Sequence, residues 1–342
     1  MITYIRARAL SWEGILATLT VVLIVVGVLT TPGFATAYNF QSSVANLSEK
    51  ALMALPLALL ILVRQIDISI ASIAALSGIT MSLALQAGQS LPVALVITVI
   101  VGAVCGAING FFVTVVRMPS LLVTLGTLSL YRGICYVLVG GQPVLAPDSI
   151  VAFGNNSIPG TSIPLVIIPF VVLAPIVTVV LHKTAVGRRL YAIGGNPDTA
   201  RYSGVNNSRI TFLLFVLSGV ASAVAGVIAT GRSSSASPAS LFGAELDCVT
   251  IVFLGGFSFL GGSGKMAGIF WAIALVIGLR SILLLNGASG DGQATAIGIL
   301  LIGSLLAANL GNRASARLRD RRNRLELTTP QHFDAPESKG LA

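Results

Sequence analysis

Charge is scarce in this chain. Asp, Glu, Lys and Arg make up only 10% of its 342 residues, against 55% hydrophobic residues, and the mean hydropathy is +0.91. A water-soluble domain of this composition could not cover its apolar surface, which places the chain in a bilayer. Ligating and nucleophilic residues are scarcer still, with three Cys and two His. Cys105, Cys135 and Cys248 lie inside apolar runs, without CxxC spacing or a neighbouring His. They read as buried small residues and suggest neither a disulfide framework nor a metal site. His182 and His332 are isolated, and the motifs present supply no nucleophile–base pair. The expectation is a chain that is not an enzyme, with no catalytic residue and no metal.

Short alternating apolar segments are also missing, which favours helices over a transmembrane barrel. The apolar runs instead approach the ~20 residues that a helix needs to cross the hydrocarbon core. They suggest ten spans, near 13–30, 50–65, 66–86, 91–116, 118–139, 163–182, 209–230, 244–260, 265–285 and 293–311. The expected fold class is an all-α membrane protein, a polytopic bundle of about ten transmembrane helices, some short or broken. Arg64, Gln65 and Asp67 interrupt the second and third runs, and the eighth run is short and ends in glycines. No small-residue cleavage site follows the first run, which is therefore expected to remain as a helix.

The net charge of +9 admits binding to nucleic acid or acidic lipid, but its distribution has a simpler source. With the amino terminus in the cytoplasm, alternation puts Arg6, Arg8, Arg64, Arg117, Lys183, Arg188, Arg189, Arg201, Arg209 and Lys265 inside. The seven basic residues after Asn312 join them. Only Lys50 and Arg232 fall in external loops, while Arg132 and Arg280 fall within spans. Basic residues collect in cytoplasmic loops, so an even number of spans with both termini inside is expected, and no nucleic-acid partner. The domain expectation is 1–312 as one transmembrane domain and 313–342 as a basic cytoplasmic tail, losing order from about Thr328.

Several polar features stand out against the apolar background. Residues 182–209, HKTAVGRRLYAIGGNPDTARYSGVNNSR, form a long polar cytoplasmic loop suited to docking a partner. Gly102, Gly106 and Gly110 line one helix face at four-residue spacing, which permits backbone-close packing. Asn109 beside them suits either an interhelix hydrogen bond or a pathway lining. Asp67 is a costly group at membrane depth. It either pairs with Arg64, three residues earlier, or faces a pathway with Ser69 and Ser72 nearby. Thr124, Thr127 and Tyr131 give the fifth run a polar face, and Arg132 is placed to reach outward or to face the same path. Glu245 and Asp247 stand at the external start of the eighth run, as capping carboxylates or docking groups. The glycines before Lys265 are no phosphate loop: Phe259 stands where the first glycine belongs and Met266 where Ser or Thr belongs. A faint repeat relates QIDISIAS (65–72) to GFSFLGGS (256–263), each following a short span.

Four stretches carry a family resemblance: IDISIAS (66–72), GAINGFFVTVVRMPSLLVTLGTLSLYRG (106–133), GRRLYAIGGNPDTARYSGV (187–205) and ELDCVTIVFLGGFSFLGGSG (245–264). In their order and spacing the chain resembles the permease subunits of bacterial ABC sugar importers, the group that includes the ribose, rhamnose and autoinducer-2 systems. Departures are modest: Ala71 replaces a usual Gly, and Cys248, Thr250 and Phe257 replace commoner residues near the eighth span. The resemblance implies a multi-pass protein of the bacterial inner membrane that works with a second permease subunit, an ABC ATPase subunit and a periplasmic sugar-binding protein. ATP and Mg would be bound by the partner ATPase, and this chain would hold no cofactor. Carried over by position, a coupling helix at the ATPase would comprise Asn196, Pro197, Asp198, Thr199, Ala200, Arg201, Tyr202, Ser203 and Gly204, with Arg188 beside it. Asp67, Ser69, Asn109, Thr124, Thr127 and Arg132 are candidates for the translocation pathway, and Glu245 and Asp247 for docking the binding protein. Three other readings remain at this point. An ion- or proton-coupled transporter would need mid-membrane protonatable groups, chiefly Asp67 here. A permease of the same superfamily for branched-chain amino acids would carry different loop motifs. An inert anchor would have no use for polar helix faces.

Overall fold

The computed structural model describes residues 12–303 and 306. Arg6, Arg8, His332 and the expected tail 313–342 lie outside them. Among the described residues, seven helices are long and apolar enough to cross a membrane. They are α1 (Trp12–Thr30), α2 (Ala37–Leu62), α4 (Leu91–Thr114), α5 (Ser120–Val139), α7 (Ile168–Lys183, entered through a 3-10 turn at Leu165–Ile167), α10 (Asn207–Ser233) and α12 (Met266–Leu285). Two apolar helices are shorter, α3 (Ile70–Gln86) and α11 (Ala244–Leu254). Helix α6 (Asp148–Asn155) lies in a connecting loop, and α8 (Ala185–Gly195) and α9 (Pro197–Tyr202) occupy the long polar loop. A further helix begins at 290 and continues to 303. All of it up to Leu301 belongs with the preceding helices in one compact unit, and 302, 303 and 306 are helical residues of a second.

The expected span 50–65 is corrected at its start. Helix α2 begins at Ala37 and runs 26 residues. Hydropathy hides its first half because that half is polar, yet several of its polar groups have partners. Thr36 caps the helix by accepting from the Asn39 amide, and Asn39 donates to Ser281 at 2.8 Å. From Ala51 to Val63 every residue of the α2 segment is buried, which makes this the central helix. Lipid is as apolar as leucine, so this burial stabilises by close packing and dispersion more than by escape from water.

Close packing explains the glycines. A Cβ on Gly102 would collide with the Gly219 carbonyl, and one on Gly106 with the Phe215 carbonyl, so α4 and α10 meet backbone to backbone. On α10, Ser218, Gly219, Ser222, Ala223 and Gly226 are all small and buried. Gly226 is pressed against the Ala74 backbone of α3. The outer faces of α1, α4, α5 and α7 expose valine, leucine and isoleucine, such as Val137 at 85%. That is the surface a lipid-facing helix presents.

Two further spans are corrected. Residues 66–69 are not helical, so α3 starts only at Ile70. The span expected at 244–260 is an 11-residue helix ending at Leu254, followed by glycine-rich turns through Lys265. Both short helices adjoin a stretch of irregular backbone, which is tolerated at membrane depth only where protein surrounds it. A two-stranded pair, Val144↔Ala236 and Leu145↔Ser235, ties together the loops after α5 and α10.

Candidate functional site

The long polar loop folds into a rigid hairpin of two short helices. Thr184 donates to the Val180 carbonyl at 2.6 Å and accepts from the Gly187 amide, closing α7 and opening α8. Asn196 then caps α9 by accepting from the amides of Asp198 and Thr199 at 3.0 and 3.1 Å. Pro197 occupies the first turn, where its missing N–H is not needed. Gly204, at φ +82°, takes the left-handed conformation that ends the element. Ser203 donates to the Thr199 carbonyl, and Asn207 reaches back to the Pro197 carbonyl at 2.7 Å. Within α9 only Ala200 is buried, while Asp198, Thr199, Arg201 and Tyr202 point outward, as does the following Ser203. Arg188 is also exposed, one turn into α8. Tyr202 is 92% exposed. Its place in α9 was expected, but only the structure marks it as the most prominent aromatic of the knob.

The base of this hairpin is clamped to the bundle. Leu190 and Ile193 bury one face of α8. Gly194 lies so close to the Leu62 carbonyl and the Gly262 amide that a Cβ there would clash with both. Arg64 donates to the Gly194 and Gly195 carbonyls at 2.7 and 2.6 Å, the last two residues of α8. The Arg64–Asp67 pair considered for the sequence does not form. Arg64 takes φ +66° at the end of α2, which turns its side chain toward α8, and Asp67 has other partners. Gly262 donates to the Leu62 carbonyl at 2.9 Å. Tyr191 donates to the Gly264 carbonyl at 2.7 Å, and burial pushes its hydroxyl above the ordinary phenol range, which keeps that donor protonated. The end of α2, at Leu62 and Arg64, and the glycine-rich turns after α11 thus meet at the root of the polar hairpin.

Just inside the bundle, the irregular stretch 63–69 is held from three sides. Asp67 accepts from the Ser69 amide and hydroxyl at 3.0 and 2.7 Å, and its second oxygen accepts from Ser218 of α10 at 3.0 Å. Ser69 accepts from Asn109 of α4 at 2.8 Å, and Tyr131 of α5 donates to Asn109 and to the Cys105 carbonyl. Ser120 accepts from the Ile66 amide, Thr124 donates to the Ile66 and Ser120 carbonyls, and Thr127 donates to Thr124. Five of the six pathway candidates therefore lie in two hydrogen-bonded groups that adjoin at Ile66 and Asp67, with Asp67, Ser69, Asn109 and Thr124 fully buried. In this conformation they knit helices together. Arg132 stands apart: it donates to the Pro238 and Ser240 carbonyls and lies over the Phe242 ring. Ser218 was missed, since one serine in an α10 sequence full of small residues gives no signal.

Residues 39–309 match the family described as branched-chain amino acid transport system / permease component. The chain belongs to that family. It is 32% identical over 297 residues to the ribose import permease protein RbsC of Haemophilus influenzae, covering 84% of this chain and 90% of that one. It is 34% identical over 303 residues to RbsC of Bacillus subtilis, covering 87% and 92%. The autoinducer 2 import system permease protein LsrD of Escherichia coli (strain K12 / DH10B) is 33% identical over 304 residues, covering 85% and 90%. No solved structure matches the chain.

On the opposite side of the permease, charges that were counted separately come together. Asp247 accepts from Arg280 at 2.7 Å on both oxygens and pairs with Lys50 at 2.8 Å. Arg232 pairs with Glu49 at 2.7 Å and also reaches Asn46. Asp247 is buried, so its carboxylate closes an internal ion-pair hub joining α2, α11 and α12. Glu245, two residues earlier on α11, is half-buried. Among the described residues no three His, Cys, Asp or Glu side chains are placed to hold a metal ion.

Proposed function

We propose that this permease is the translocation subunit of an ATP-driven importer for a sugar or sugar-like solute. The observation that carries the reading is the α8–α9 hairpin, a capped, rigid and outward-facing knob rooted where two helices break. Similarity to ribose and autoinducer 2 import permeases over more than four-fifths of the chain points to the solute class. The partners are an ABC ATPase subunit at the knob, a second permease subunit, and a periplasmic sugar-binding protein on the opposite face near Glu245. ATP and Mg belong to the ATPase, and this chain holds no cofactor of its own. Adding α3, α11 and the helix from 290 to the seven long helices gives ten spans, with both termini cytoplasmic and the protein in the bacterial inner membrane. Residues 1–312 would form the permease domain and 313–342 its basic cytoplasmic tail.

In this reading ATP-driven closure of the ATPase pair moves the Asn196–Gly204 knob as a rigid body, and the paired permeases switch which side is open. The polar network around Asp67 is the element that must rearrange. Weak, distributed contacts suit a route from which the solute has to leave. The test is uptake into vesicles carrying the full complex. Uptake should require ATP and the binding protein and survive an uncoupler. Uptake that collapses with the uncoupler while ATP is intact would replace this reading with an ion-coupled one. If the binding protein delivers a branched-chain amino acid, the solute class is wrong.

A further inference from the structure

We infer that Arg64 is the positioning residue that transmits movement of the α8–α9 hairpin into the translocation core. The inference rests on the proposed ATPase coupling and adds the route by which it reaches the bundle. The last carbonyls of a helix have no partner within it and carry its negative dipole end. Arg64 supplies that partner to α8 from another element, with Nε on Gly194 and a terminal nitrogen on Gly195. Two successive carbonyls suit the planar fork of a guanidinium, which an ammonium cannot reproduce. The left-handed backbone of Arg64 is unfavourable for a residue with a Cβ, and it persists because α2 ends there. The Arg64 amide bonds to Ile61, and that of Gln65 to Leu60.

The joint has no slack. Gly194 is in backbone contact with Leu62 and Gly262, so a push on α9 cannot be absorbed at its root. Three residues beyond Arg64, Asp67 binds Ser69 and Ser218, and Ser69 binds Asn109. A displacement of residues 62–66 therefore pulls on α3, α4 and α10 together. Tyr191 and Gly264 form a second tie, from α8 to the stretch before α12. Arg64 differs in joining the hairpin to the chain segment that carries the buried carboxylate.

The test uses the full importer in proteoliposomes with Arg64→Lys and Arg64→Ala, reading ATPase co-purification, ATP hydrolysis and solute uptake. Loss of the charge-assisted bonds should lower solute moved per ATP about tenfold, with the complex intact and hydrolysis near wild type. A merely structural role would lower the amount of complex without changing that ratio. An unchanged ratio, or failure of both variants to assemble, would overturn the inference. If the wild-type permease moved no solute with ATP, the coupling reading would fall first, and Arg64 with it.

Discussion

Ser218 of α10 donates a 3.0 Å hydrogen bond to Asp67, a carboxylate with no solvent exposure and no cation among its bonding partners. Three hydrogen bonds, from Ser218 and from the Ser69 amide and hydroxyl, satisfy the group. Asp67→Ala would strand these buried donors at about 1–3 kcal/mol. It should lower the unfolding temperature in detergent and abolish uptake. Asp67→Asn keeps an acceptor toward Ser69 and offers Ser218 a donor to accept from, so it should retain most of the stability. Equal losses in the two variants would show that charge matters more than hydrogen bonding.

Gly106→Leu should prevent α4 and α10 from closing, because even a Cβ there meets the Phe215 carbonyl. Overpacking a tight helix contact typically costs about 1–3 kcal/mol, and backbone obstruction leaves little room to relax. The amount of assembled complex in the membrane, measured by detergent-stable size, should fall sharply. Gly126→Leu, at a position with open space around it, is the control and should assemble normally.

Asp247→Ala leaves Lys50 and Arg280 facing each other without their shared carboxylate. The expected loss is about 2–4 kcal/mol, below that of a fully buried pair because both cations keep some water. It is read as a lower unfolding temperature. Removing Arg280 as well (Asp247→Ala with Arg280→Leu) should recover part of the loss. If the single variant is as stable as wild type, Asp247 is free to serve the binding protein instead.

Arg201→Glu reverses an exposed charge on α9 without touching its caps. Membrane insertion depends on apolar length and flanking charge, so the protein should reach the membrane in normal amount while uptake is lost. Normal uptake with normal ATPase association would remove Arg201 from the coupling surface.

Much of the architecture was legible in the sequence where polarity and position agreed. Asn196, Pro197 and Gly204 are local signals, since capping and termination are decided within a few residues, and they occupy those places in the structure. The glycines of α4 likewise announced a close contact before its partner was known. What was hidden depends on distant residues. The polar half of α2 looked like a loop because its partners, Ser281 and Arg232, lie about 180–240 positions away. Spacing offered Arg64 as one of two alternatives for Asp67, and the backbone turn that sends it to α8 left no local mark. Lys50, Asp247 and Arg280 appeared as three separate charges, and only the fold makes them a cluster.

A separate ATPase is proposed to drive the permease through the α9 knob. The most direct measurement places a photo-reactive phenylalanine at Tyr202, 92% exposed, in membranes that carry the active importer, with Val137 on the apolar outer face of α5 as control. An adduct between the permease and the ATPase subunit is expected from position 202 and none from 137. Membranes that take up solute normally yet yield no ATPase adduct from position 202 would contradict it.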